Sequence, residues 1–351
     1  MGNGKKVSVA IATYNGEKFL AEQLESIVNQ SHPVDEIVIN DDCSSDRTID
    51  IAQHYAQLYS NISWKISANE LNVGYRFNFR KAISRCTGDI IFLCDQDDVW
   101  VKNKVAKMVG IFEKNNQVKL LISDFKTIND KGEFLQPNKK LENIWVSPRI
   151  LKNTDYLEKI KIYEAVSHIQ GQGCTMALTN EVARFYLKCN LNWTHDNLVG
   201  LIAAFRGGLF YLKDQLVHYR IHENNTVGMP IGKWGKNEHS FKEKTMIFLS
   251  VCKYCFFKKT AEQCRMAIYN KEGGLFEEIE RVVGCEESER VDLDCWRKFE
   301  KLRLGSIENK KLFQYLLLRV KYREFFELEV PFFTYEQKIV RLVNDIGAIV
   351  K

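Results

Sequence analysis

Three acids fall within four positions of FLCDQDDVW, residues 92–100: Asp95, Asp97 and Asp98. They follow Phe92, Leu93 and Cys94, which read as the end of a buried strand. Like charges crowded at the rim of an apolar core repel and are costly to desolvate. A solvated acidic loop is the plain reading. The chemical reading is that a positive group sits there. Carboxylate oxygens suit a hard divalent cation, and such a cation suits a diphosphate. Asp98 serves either this cluster or the cap of the next helix, and Trp100 reads as packing.

The elements around these acids decide between the two readings. VSVAIAT (7–13), EIVIN (36–40), ISWKIS (62–67) and DIIFLC (89–94) have strand patterns. Between them, EKFLAEQLESIVNQ, TIDIAQHYAQLY and RFNFRKAISRC have helical spacing, with Ser45 or Asp46 as the cap of the second helix. The order is βαβαβαβ, which predicts a parallel sheet with helices on both faces. In such sheets ligands bind beyond the carboxyl ends of the strands. Thr13-Tyr14-Asn15, Asp41-Asp42, Asn69 to Arg76 and Asp95 to Asp98 all fall at that edge. The glycine fingerprints GxGxxG and GxxxxGK[ST] are both missing, so a phosphate here needs another counterion. A metal held by the acidic cluster supplies one.

Further on, KLLISDFKTI (119–128), GQGCTMALT (171–179) and the run from Leu209 read as strands, and NWTHDNLVGLIAAFRGG (192–208) as a loop entering a helix. Residues 231–351 are rich in Lys, Glu, Leu and Phe at helical spacing and read as a C-terminal helical extension.

The bulk numbers fit a globular protein. The chain has 351 residues, 45% hydrophobic and 27% charged, with five prolines. No internal repeat and no signal-peptide pattern is evident. No stretch approaches the roughly 18 uninterrupted apolar residues of a membrane span, so the expected location is the cytoplasm. The ten cysteines suit that compartment: Cys94, Cys174 and Cys252 lie in apolar or helical runs. Cys252 and Cys255 form a CxxC without a fourth ligand at convincing spacing, which favours helix packing over zinc. A net charge of +5 does not imply nucleic acid. Lys233, Lys236, Lys242, Lys244, Lys253, Lys258 and Lys259, interleaved with aromatics, read as a solvated face or as a surface for anionic lipid.

Four motifs taken together point to a family: VAIATYNGEKFLAEQLESI, IVINDDCSSDRT, GDIIFLCDQDD and THDNLVGLIAAFRGGLFYLKDQLVHYRIHENNTVG. Over roughly residues 5–230 the chain resembles the inverting glycosyltransferases of family 2, which have the GT-A fold. Its last motif is most similar to the bacterial rhamnosyltransferase-type branch that builds O-antigen and capsule polysaccharides. The resemblance implies an α/β fold, a Rossmann-like, mostly parallel sheet flanked by helices. Residues 1–230 would be the transferase domain, with 1–118 the nucleotide-binding half and 119–230 the acceptor and catalytic half. Residues 231–351 match no pattern of the family.

The resemblance also implies roles. Thr13, Tyr14 and Asn15 would line the nucleotide pocket, with Asp41 accepting hydrogen bonds from the base and Asp42 beside it. Cys43 stands where the family has Gly, which bears on the tightness of that turn. Asn72 and Gly74 would belong to the N-x-G stretch, with Arg76 facing phosphate. Asp95 and Asp97 would be the DxD pair, Asp97 being the direct ligand of Mn²⁺ or Mg²⁺, and His222 a further metal ligand. Gly171 and Gly173 would border the meeting point of donor sugar and acceptor. Asp196 would be the catalytic base, although by position alone it reads as an ordinary helix cap. His195, in place of the usual Glu, would orient the loop or touch the acceptor, and Arg220 would be a phosphate partner. The implied donor is a dTDP- or UDP-sugar. The implied acceptor is a lipid-linked glycan at the inner face of the membrane, with residues 231–351 making peripheral contact. Two other classes compete: a sugar-phosphate nucleotidyltransferase, whose usual basic glycine-rich loop TYNGEKF matches poorly, and a non-catalytic sugar-nucleotide or polysaccharide-binding protein, against which the full acidic set argues.

Overall fold

Apolar runs that are continuous, not alternating, form strands covered on both faces. EIVIND is such a run, and all six residues of β2 (Glu36–Asp41) are buried. So are all five of β4 (Ile90–Cys94). With β1 (Val7–Thr13) and β3 (Ser63–Ala68) they pair in the order β3-β2-β1-β4, each pairing parallel. The edge strand β3 is the least buried of the four. Helices α1 (Leu20–Val28), α2 (Thr48–Leu58) and α3 (Tyr75–Arg85) make the crossovers. The computed structural model describes residues 4–136, 150, 154–167, 171–191, 193–223, 225, 277–309 and 311–322. The lysine-rich segment and the Cys252–Cys255 pair lie outside the described residues.

Alternation along β1 sorts the two faces of the sheet. Val7, Val9 and Ile11 pack with Leu20, Leu24 and Ile27 of α1 and with Val105 and Met108 of α4 (Lys104–Lys114). Ala10 points the other way, into a cluster with Phe79, Ala82 and Ile83 of α3.

The second half of the sheet is mixed, and its antiparallel pairings build the site. β8 (Met176–Thr179) runs antiparallel to β4 and to β6 (Leu120–Ile128). Residues just before β8 therefore emerge at the same edge as the acids just after β4. The long strand β9 (Leu209–Arg220) is parallel to β6 and antiparallel to the short strands β5 (Val99–Trp100) and β7 (Leu157–Lys159). Val99 pairs with His218, which brings the end of β9 beside the acidic turn. The parallel expectation thus holds for the first four strands, and antiparallel neighbours complete the nine-stranded sheet.

On the Ala10 face lie α5 (Ile162–Ser167), α6 (Asn180–Lys188) and α7 (His195–Phe205). The described part of the C-terminal extension adds α8 (Glu287–Glu308) and α9 (Leu312–Lys321). Leu293, Trp296 and Phe299 of α8 enter the same core as Leu198 and Ile202 of α7. Lys159 donates to Glu289 at 2.6 Å, and the Glu286 amide donates to the Phe205 carbonyl at 2.9 Å. Among the described residues, the extension is built onto the core of the sheet.

Candidate active site

The loop after β1 is locked to the acidic turn. The Tyr14 amide donates to Gln96 Oε1 at 2.8 Å, and Gln96 Nε2 donates back to the Tyr14 carbonyl at 3.0 Å. Thr13, Asn15 and the residues after β2 form a second set of ties. Thr13 Oγ1 and Ser44 Oγ donate to Asp41 Oδ1, and the Ser44 amide donates to Asp41 Oδ2. Asn15 accepts from the Ser45 amide through its side chain.

Asp42 does the same for the loop after β3. Its Oδ1 accepts from Asn69 Nδ2 and the Val73 amide, and its Oδ2 from the Gly74 amide, each at 2.8 Å. Gly74 sits at φ +83°, a conformation suited to glycine. The two aspartates are therefore framework: they are 1% and 2% exposed, and their carboxylates hold the pocket loops. A buried carboxylate must collect donors, and the chain supplies them. Tyr14, Asn15 and Asn72 are exposed on this rim. Arg76 lies along Tyr75, donating to its hydroxyl at 3.3 Å. Cys43 adopts φ +66°, so the turn keeps the shape glycine would give it. A non-glycine residue there carries a strain of about 1–2 kcal/mol.

The acids divide into an inner and an outer set. Asp95, Asp98 and the Cys174 thiol form the inner set, with ligand atoms within 4.8 Å of one another. Burial, then the charges of Asp98, Asp97 and Asp196, pushes Asp95 well above the usual carboxylate range. Burial and Asp97 push Asp98 up to about 7. Oδ2 of Asp98 is buried without a hydrogen bond among the described residues. The outer set is Asp97 with His222, whose Nε2 lies 2.8 Å from Asp97 Oδ2. Carboxylates driven toward protonation by burial and then by one another, one oxygen left unpartnered, and an imidazole alongside make a donor set that fits a divalent cation.

Two fixed cations flank the acids, and sequence reasoning missed the first. Lys104 is fully buried; its Nζ donates to the Cys174 carbonyl at 2.7 Å and lies 4.1 Å from the centre of the Trp100 ring. Burial lowers its pKa to about 8, against the pull of Cys174, Cys94, Asp98 and Asp95. Its spacing to Met108 and Phe112, four and eight residues on, was the available signal, since it puts the lysine on the inward stripe of α4. Trp100 packs on Phe92 as expected. Arg220 is the second cation. Its guanidinium is enclosed and donates to protein oxygens. Asp98, by accepting from the Arg220 amide at 2.9 Å, belongs to this cluster and caps no helix.

Asp196 enters from the opposite element. The cap position of α7 falls on Thr194, so Asp196 sits in the first turn and, among the described residues, accepts from the adjacent Asn197 amide at 2.8 Å. Its charge reaches Asp95. His195 beside it is 5% exposed and stacks on Phe79, ring centres 3.8 Å apart, with Tyr75 edge-on. Neither ring nitrogen has a hydrogen-bond partner among the described residues. Burial lowers the His195 pKa, which keeps the ring neutral. Gly173 lies against this ring: a Cβ there would stand 2.6 Å from His195 Nε2. Gly171 packs on Ile122. Phe79, unremarked in the sequence, is the platform of this corner.

Residues 8–177 match the family model described as Glycosyl transferase family 2. That match is to a glycosyl transferase family 2 domain and takes in just under half of the chain. EpsE of Bacillus subtilis (strain 168), which carries a glycosyltransferase name, is 36% identical over 132 residues, or 38% of this chain and 47% of EpsE. The aligned part thus spans about half of that relative. RfbG of Shigella flexneri, named a dTDP-rhamnosyl transferase, is 28% identical over 63% of this chain and 74% of RfbG. Residues 1–349 of Staphylococcus aureus TarS, solved in complex with UDP-GlcNAc, superpose with a TM-score of 0.53 at 16% identity, covering 91% of this chain and 92% of that one. That likeness concerns the fold, and it agrees with the mixed α/β sheet seen here.

Proposed function

We propose that this protein transfers a sugar from a nucleotide-diphosphate sugar to a hydroxyl of a growing bacterial surface glycan, inverting the anomeric centre. One observation carries the reading. A crowded acidic turn, with Asp97 on His222, shares one sheet edge with a carboxylate, Asp196, that enters from a different element. The transferase unit of this reading is residues 1–230, with 1–118 holding the nucleotide and 119–230 the acceptor.

Asp95, Asp97 and His222 would hold Mn²⁺ or Mg²⁺, which as a Lewis acid supplies charge stabilisation for a departing diphosphate. The chain's own residues do the rest. Tyr14, Asn15 and Asn72, on loops fixed by Asp41 and Asp42, border the nucleotide. Asp196 takes the proton of the attacking hydroxyl. Base and leaving group on opposite faces of the sugar give inversion, as in inverting glycosidases. His195 and the Gly171–Gly173 loop shape the space where the sugar meets the acceptor.

The RfbG likeness favours dTDP-rhamnose as donor, and the TarS fold keeps UDP-sugars in play. A panel of nucleotide sugars scored by donor hydrolysis, with and without Mn²⁺, tests the reading. One donor should be hydrolysed faster than the rest, in a Mn²⁺-dependent way. Donor binding with no hydrolysis or transfer in any arm would leave a non-catalytic sugar-nucleotide-binding protein.

The acceptor in this reading is lipid-linked, at the inner face of the membrane. No helix among the described residues is long and apolar enough to cross a bilayer. Phe313, Leu316 and Leu317 of α9 form an exposed stripe at helical spacing, with Lys321 at the helix end. Such a stripe suits docking on an anionic bilayer. Anionic vesicles should co-sediment with the full chain and lose it on Phe313→Asp with Leu317→Asp; equal binding by both refutes the contact.

A further inference from the structure

Arg220 ends β9 with a side chain 1% exposed, yet its bonds reach four other segments. Its backbone amide donates to Asp98 Oδ1 at 2.9 Å, and its Nε donates to the Asp97 carbonyl at 2.7 Å. One terminal nitrogen donates to the Asn129 carbonyl at 3.1 Å and the Asp130 carbonyl at 3.4 Å. The other donates to Glu22 Oε2 on α1 at 2.6 Å. The guanidinium carbon lies 4.7 Å from the centre of the Phe19 ring, and that ring is 4.8 Å from the ring of His222. Asn225 closes the strand end, donating to the Arg220 carbonyl at 3.1 Å and accepting from the His222 amide at 2.6 Å.

We infer that Arg220 is the positioning residue of the acidic turn, holding the Asp97 carboxylate on His222 so that the two face a divalent cation together. The inference rests on the metal reading above. Its warrant is how little freedom the bonds leave. The Asp97 carbonyl and the Asp98 carboxylate are both pinned to residue 220, so Asp97 keeps only its side-chain torsions. Within that range it meets His222 at 2.8 Å. His222 lies two residues beyond Arg220, just past the end of β9. Phe19 fills the space between the two side chains and keeps them apart by a fixed distance. Glu22 and the 129–130 turn anchor the guanidinium from outside the site. The geometry demands a planar fork with donors in three directions. A lysine ammonium carries the charge but cannot span the same acceptors.

Direct Mn²⁺ binding, read by the loss of the free-ion electron paramagnetic resonance signal, tests this without any turnover. The chains compared are the parent, Arg220→Lys, Glu22→Gln, and Ile37→Ala as a control for stability. Ile37 is buried at the opposite end of β2 from the site. Arg220→Lys should weaken Mn²⁺ binding about tenfold or more, the range seen when outer partners of metal ligands are lost. Glu22→Gln, at a residue 54% exposed, should weaken it by a smaller factor, about threefold, because the anchor loses its charge. Ile37→Ala should lower Tm and leave Mn²⁺ binding unchanged. Binding within about twofold of the parent in both site variants overturns the inference, as does an equal loss in Ile37→Ala. Should Arg220→Lys fail to fold, Glu22→Gln decides by the same criterion. A parent chain that binds no Mn²⁺ overturns the metal reading, and this inference with it.

Discussion

Replacing Asp196 by Asn should leave donor-nucleotide binding intact and slow sugar transfer by about 10²–10⁴-fold, the usual contribution of a general base. Three features keep the expectation clean. The amide has the shape of the carboxylate, and its oxygen can still accept from the Asn197 amide. The helix loses no cap, because Thr194 holds that position. Weaker cation binding is not the expected cause either. The Asp196 charge is among those pushing Asp95 upward, so removing it favours ionised Asp95. Kinetics of transfer, set beside calorimetric titration with the donor's nucleoside diphosphate and Mn²⁺, measures both halves. Turnover within about tenfold of the parent would remove Asp196 as base. A parallel loss of nucleotide affinity would make it a binding residue.

The sequence was most informative where one physical signal was enough. Continuous apolar runs such as EIVIN and DIIFLC fixed the parallel strands, and the polar residues after them had to share one edge. The mixed half of the sheet was less legible. GQGCTMALT reads as a strand, but nothing local says that it lies antiparallel between β4 and β6. That pairing is what carries Cys174 to Asp95 and Gly173 to His195. Motif matching gave positions and not directions. Asp41, Asp42 and Arg220 all lie where the resemblance puts a pocket, yet each turns its charge onto the chain. A polar residue at the edge of a site is either presented to ligand or spent on the loops that present others. Only the geometry of its partners separates these uses. Lys104 shows the converse. A lysine on an apolar stripe could have been read as a buried counter-charge, had helical spacing been weighed against residue type.

Gly173→Ala should cost about 1–3 kcal/mol of stability and reduce transfer by about 100-fold or more. The new Cβ would stand 2.6 Å from His195 Nε2, closer than any real contact allows. The imidazole has nowhere to retreat. Phe79 stacks on it with ring centres 3.8 Å apart, and Tyr75 meets it edge-on. Relief must come from the loop before β8 or from the first turn of α7, and either movement shifts Asp196 relative to Asp95. A displacement of about 1 Å in a positioned base is enough for a loss of that size. Gly200→Ala on the same helix is the control. A Cβ there meets nothing within 4 Å, so that variant should keep full activity and gain about 0.5–1 kcal/mol from the better helix former. Tm and transfer rate for the two variants, measured side by side, separate a tight contact from a general intolerance of α7 to change. Full activity in Gly173→Ala would mean that His195 is free to move, and the corner it forms with Phe79 would then have no part in placing the base.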